Sequence, residues 1–159
     1  MKHTNSGGVF SFVLGEGEDS LSSFYIRKNT QMQKAIFPQG LKRVEEMAFY
    51  NCKALKEVVF PDTLEYLGND IFAFSSDDIR IEYEGSSKQW RKLVEGVTDT
   101  RYELERGEWD KYPYYNSQGS SYVETTYEVH FDGYCDKIEV FCKKDGKTLC
   151  YGWGNKDKQ

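Results

Sequence analysis

A chain of 159 residues can bury a core of its own, and 38% hydrophobic with 30% charged residues excludes a disordered polymer. A formal net charge of -5 excludes general affinity for nucleic acid, because phosphate binding needs clustered Lys and Arg to displace counterions. No run approaches the roughly 20 apolar residues that cross a bilayer, so no membrane span is expected.

Residues 1–34 read as a cap built on a degenerate repeat. Val9 to Leu14 alternates as a strand does, and the patch is too short for the apolar centre of a secretory signal. Two readings of location stay open: a cytoplasmic protein, or a truncated surface protein. His3 is expected in a flexible terminus.

Residues 35–93 carry a repeat of 23 residues. Ala35, Val58 and Ile81 share one column, and Phe37, Phe60 and Tyr83 share the next but one. Pro38 and Pro61 follow, then Leu41 with Leu64, Val44 with Leu67, and Phe49 with Phe72. Extended backwards, the strand columns fall on Phe12 and Leu14, and the later columns on Leu21 and Ile26. A repeat of 20 to 29 residues lies in the leucine-rich-repeat range. The alternation predicts a short strand per turn, closed by Pro where a missing N–H costs the ladder nothing. A unit this small cannot bury its own apolar face, so stability must come from stacked neighbours and both ends need covering.

Residues 94–126 interrupt the repeat with Trp109, Tyr112, Tyr114 and Tyr115 around Pro113. In one reading the rings cap the solenoid. In the other they form a partner-binding surface, since Tyr and Trp offer large contact area at low entropic cost. Residues 127–159 predict a cap and tail: a three-strand antiparallel meander over 127–131, 137–142 and 149–153, with turns at Asp132-Gly133 and Lys144-Asp145-Gly146. That sheet either continues the solenoid's own sheet or packs across its end.

Cys52, Cys135, Cys142 and Cys150 form no CxxC pair, and buried free thiols are the default over a zinc site. A Cys142–Cys150 disulfide across a hairpin is the alternative. His130 alternates within a strand and reads as structural. No nucleophile, phosphate or zinc-protease motif is present, and Glu103, Glu105 and Glu108 beside Arg101 and Arg106 read as a solvated charged face. No catalytic residue, cofactor or metal ligand is therefore assigned.

The run FPQGLKRVEEMAFYNCKALKEVVFPDTLEYLGNDIFAFSS resembles the BspA-like leucine-rich-repeat family of surface proteins. Phe37-Pro38, Leu41, Val44, Ala48-Phe49 and Cys52 follow that family's order. Phe60-Pro61, Leu64, Leu67 and Phe72 follow it too, with Ser75 standing where Cys is usual. Tyr83, Gly85, Ser86, Gln89, Trp90 and Leu93 resemble the family's closing unit, and residues 127–141 resemble its final strand loosely. The resemblance implies a short right-handed solenoid, mainly β with short helical or turn segments, and a bacterial adhesion or host-binding role without catalytic residues. The leading function is a non-enzymatic protein-interaction module acting through its strand face and the aromatic insertion. The alternatives are a compact intracellular inhibitor or adaptor of one protein, and a carbohydrate-binding adhesin fragment. Dimerisation through an open sheet edge is a further expectation.

Overall fold

The computed structural model describes residues 1–95, 131, 135 and 137–151. The strands are β1 Lys2–Ser6, β2 Val9–Val13, β3 Ser20–Leu21, β4 Ile26–Arg27, β5 Lys34–Ile36, β6 Arg43–Val44, β7 Phe49–Tyr50, β8 Glu57–Phe60, β9 Tyr66–Leu67, β10 Asp78–Tyr83, β11 Lys137–Cys142 and β12 Lys147–Tyr151. Among the described residues there is one helix, α1, spanning Ser87–Glu95. The strands form a seven-stranded sheet in the order β1-β2-β5-β8-β10-β11-β12, a second of β3-β6-β9 and a third of β4-β7. The chain thus coils through about three turns, each visiting three walls around one core.

The repeat columns stack as their spacing requires. Ala35 lies beside Val58 and Val58 beside Ile81, in parallel register. The ring of Phe37 stacks on that of Phe60 at 5.7 Å, and Phe60 pairs in register with Tyr83. Val44 pairs with Leu67, and the rings of Phe49 and Phe72 lie 5.2 Å apart. All of these side chains are buried. Each ring fills the space beneath the next turn, which no single turn could close alone.

Turning a corner costs conformational freedom. Phe24, Met47 and Asp70 all have positive φ, as do Lys28, Asn51 and Phe74. Both sets recur every 23 residues, so each turn is bent at two left-handed positions flanking the third wall. There the backbone of one turn donates to the next, as in Phe24 N–H to Met47 O and Lys28 N–H to Tyr50 O. Beside these corners the Cys/Ser column links turns through side chains. Ser75 Oγ accepts the Cys52 N–H and donates to Phe49 O, both at 2.9 Å. The Cys52 thiol donates to Ile26 O at 3.7 Å, one turn earlier. Serine therefore does at position 75 what cysteine does at 52.

Two expectations change, one open placement is decided and the disulfide alternative falls. In the first turn, Phe10 and not Phe12 pairs with Ala35, an offset of 25 residues, and Phe12 stacks on Phe37 at 4.6 Å. Leu14 falls outside the strand. The two extra residues are taken up at Gly15 to Asp19, where Glu18 N–H bonds Gly15 O and Gly17 has φ 76°. Leu21 and Ile26 keep the 23-residue offset, opposite Val44 and Phe49. A slip of two preserves which side chains face inward, so the core survives it.

His3 is not in a loose terminus. It lies in β1, opposite Phe12, and its ring stacks on Phe10 at 5.1 Å. The C-terminal strands take the first of the two placements left open, continuing the solenoid's own sheet. β11 joins β10 in parallel and extends the solenoid's own sheet, and β12 then pairs with it antiparallel. The first expected strand, 127–131, lies outside the described residues except for Phe131, which sits in a turn. The Cys142–Cys150 disulfide is absent. Cys142 opposes Lys147 while Cys150 opposes Glu139, placing one thiol in the core and the other in solvent, and none of the four cysteines is in a disulfide.

Candidate interaction surfaces

The outward face of the seven-stranded sheet presents two rows across its strands. One runs Val9, Lys34, Glu57, Arg80, Glu139, Cys150. Its charges alternate in sign, with Lys34 3.4 Å from Glu57 and Lys137 3.1 Å from Glu139. The second row runs Ser11, Ile36, Val59, Glu82, Phe141, Thr148. Ile36, Val59 and Phe141 make half of it apolar, with Glu82 between Val59 and Phe141, and the Arg80 guanidinium lies 5.6 Å from the Phe141 ring centre. A face whose charges neutralise one another has little attraction for a charged partner, leaving the apolar side chains of the second row as the contact that water gives up most readily.

The third wall differs. Phe24, Tyr50 and Phe74 form a chain of edge-to-face rings, 5.3 Å and then 5.6 Å between centres. Phe24 is 42% exposed and Phe74 66% exposed, although both stand at positive φ. Bulky side chains in that region carry backbone strain. Next to Phe74 is a cavity of about 380 Å³ lined partly by Met47, Phe72, Lys53, Asp77 and Cys135. No periodic signal marked these rings, because an exposed Phe reads like a core Phe until its neighbours are known.

At the C-terminal end, α1 covers the core where a fourth turn would continue. Ser86 and Gln89 form a capping box: Ser86 N–H donates to Gln89 Oε1 at 2.8 Å, and Gln89 N–H to Ser86 Oγ at 3.2 Å. Asp145, in the β11–β12 turn, accepts from Ser87 Oγ at 2.6 Å and from its N–H at 3.1 Å. Those hydrogen bonds hold the Asp145 carboxyl below its ordinary pKa. Trp90 is fully buried, edge-on to Tyr83 at 5.2 Å and to Phe131 at 5.6 Å. The Tyr83 ring lies over Gly85, where a Cβ would come within 2.5 Å of it. That contact explains why the closing unit spells Tyr-x-Gly. Burial pushes the Tyr83 hydroxyl to about 12 and the Cys142 thiol to about 11, so neither ionises near neutral pH.

Trp109, Tyr112, Tyr114, Tyr115, His130, Glu103, Glu105 and Glu108 lie outside the described residues. Among the described residues no group of three His, Cys, Asp or Glu could hold a metal ion, and no helix is long and apolar enough to cross a membrane.

Residues 19–91 match the family model described as BspA type Leucine rich repeat region, in six copies. That segment is a BspA-type leucine-rich-repeat solenoid. The match begins well before residue 35, inside the stretch whose pattern reads as a degenerate repeat. Repeats of this family are typically non-enzymatic and point to a scaffold for protein–protein interaction. No curated protein matches the chain, and neither does any solved structure.

Proposed function

We propose that the protein is a non-enzymatic interaction module that binds a protein partner through the outward sheet face and the aromatic segment 94–126. The observation that carries this reading is the row Ile36–Val59–Glu82–Phe141, three of its four side chains apolar, set in register beside a self-neutralised charged row. Such a row offers apolar contact with a single charge, Glu82, to desolvate or to meet with a donor from the partner. Trp109, Tyr112, Tyr114 and Tyr115 supply the ring contacts that dominate many interfaces.

Photo-crosslinking from position 59 in the native host, followed by mass spectrometry, tests the face. A single protein captured from position 59, lost with Ile36→Glu, is the expected result. Trp109→Ala and Tyr114→Ala should weaken capture while leaving the melting temperature unchanged. Capture indifferent to Ile36→Glu would remove the sheet face from the proposal, and a drop in melting temperature would make the aromatic segment a cap.

A further inference from the structure

The third wall is closed turn by turn, and the closure stops at turn three. In turn one, Ile26 N–H donates to Ala48 O at 3.0 Å and Lys28 N–H to Tyr50 O at 2.8 Å. In turn two, Phe49 N–H donates to Ile71 O and Asn51 N–H to Ala73 O, both at 2.8 Å. Phe72 and Phe74 hold the same two places in turn three, and Phe74 repeats the positive φ of Lys28 and Asn51. Among the described residues neither Phe72 N–H nor Phe74 N–H has an acceptor. The later chain touches this wall on either side of them. Phe131 O accepts the Ile71 N–H, and the Cys135 thiol donates to Ser76 O. The cavity of about 380 Å³ runs along the same stretch, lined by Phe72 and Phe74 themselves.

A buried backbone N–H without an acceptor is rare, because an unmade hydrogen bond away from water is costly. Phe72 is 1% exposed, which leaves its N–H little bulk water to bond. Two donors two residues apart call for two acceptors at the same spacing. Asp70 and Asp77 line the cavity with Lys53, and two carboxylates beside one ammonium disfavour an anion there. Neutral carbonyls fit, and those that share one side of an extended chain recur every second residue. We propose that the cavity is a docking site for an extended peptide segment of a protein partner, whose alternate carbonyls accept the Phe72 and Phe74 N–H groups. The segment adds to the third wall as residues 71–73 add to turn two, with an apolar side chain among Met47, Phe72 and Phe74. Main-chain bonds supply affinity in such an addition, and the pocketed side chain supplies specificity. The site lies on a different wall from the sheet face and does not depend on it.

Amide exchange of the full chain followed by NMR, alone and with a synthetic peptide copying residues 70–76, tests the site. That peptide is the segment turn two already holds. In the free chain the Phe72 and Phe74 amides should exchange at least about tenfold faster than those of Phe49 and Asn51. Adding the peptide should slow both by at least about tenfold. Phe74→Asn keeps the left-handed corner and removes one wall of the cavity, and it should weaken the peptide at least about tenfold by titration. Ile36→Glu, which disables the sheet face, should leave the peptide's effect unchanged, so the two surfaces fail separately. Phe72 and Phe74 amides as slow in the free chain as Phe49 and Asn51 would mean that the chain fills the site itself, overturning the proposal. A peptide that slows neither amide, or that Phe74→Asn binds equally well, would overturn it too.

Discussion

The two ends of the solenoid are closed by different means. At the N-terminal end β1 folds back on β2 through Gly7 and Gly8, and His3 lies over Phe10 and Phe12. The contacts there stay local by comparison, the Met1 ammonium reaching Glu18 and the Tyr25 O–H donating to Met1 O. At the C-terminal end the cover comes from far along the chain: β11 pairs with β10, Phe131 O accepts the Ile71 N–H, and Asp145 holds the start of α1. The first end is covered by a hairpin with an exposed outer strand. The second is sealed by Trp90, with no exposed surface at all. A local cover is simple to form but shallow. A distant one buries more, and it must close a long loop first.

That contrast can be broken most sharply at Trp90. Trp90→Ala should cost about 3–5 kcal/mol in chemical denaturation, the range for deleting a large buried ring. His3→Ala at the opposite end should cost under about 1 kcal/mol, because an exposed ring loses little contact. Equal losses would mean that the N-terminal hairpin carries more of the core than its exposure indicates. Gly85→Ala comes next, at about 1–3 kcal/mol, since the added methyl must displace the buried Tyr83 ring.

The Asp145 link to α1 gives the acid dependence. Its folded pKa is lowered from 3.8 chiefly by the hydrogen bond from Ser87, so its contribution is complete above that value. The contribution is lost as pH falls through the lower folded pKa. Asp145→Asn should flatten the acid limb of stability below about pH 4, measured by melting in a buffer series. At the smallest scale, Lys28→Asn should raise stability by up to about 1 kcal/mol, because Asn tolerates the left-handed corner at φ 52°. Thiol labelling gives a separate check. Among the described cysteines Cys150 should react quickly, and buried Cys52, Cys135 and Cys142 only on unfolding.

The middle of the molecule was open to sequence reading because its contacts repeat. Val58 must meet Ile81, and Phe37 must meet Phe60, if side chains 23 apart are stacked. The first turn defeated a fixed period. The two-residue excess at Gly15 to Asp19 leaves inward alternation unchanged, so Phe12 and Leu14 fitted the columns as well as Phe10 and Phe12 did. The Cys142–Cys150 alternative failed for a related reason: spacing suggests a hairpin, while the register decides which side chains face each other. The outward rings Phe24, Tyr50 and Phe74 lacked any column of their own, and the aromatic segment first singled out as a binding surface lies outside the described residues.

The amino-acid order by itself determined the coil, its period and its inward columns, because identical short-range constraints recur until only stacking can satisfy them. Tertiary structure alone decided the strand register of the first turn, the parallel insertion of β11, the Asp145 cap and the exposed rings of the third wall. Those features depend on how separate parts of the chain meet, and no local pattern encodes such a meeting.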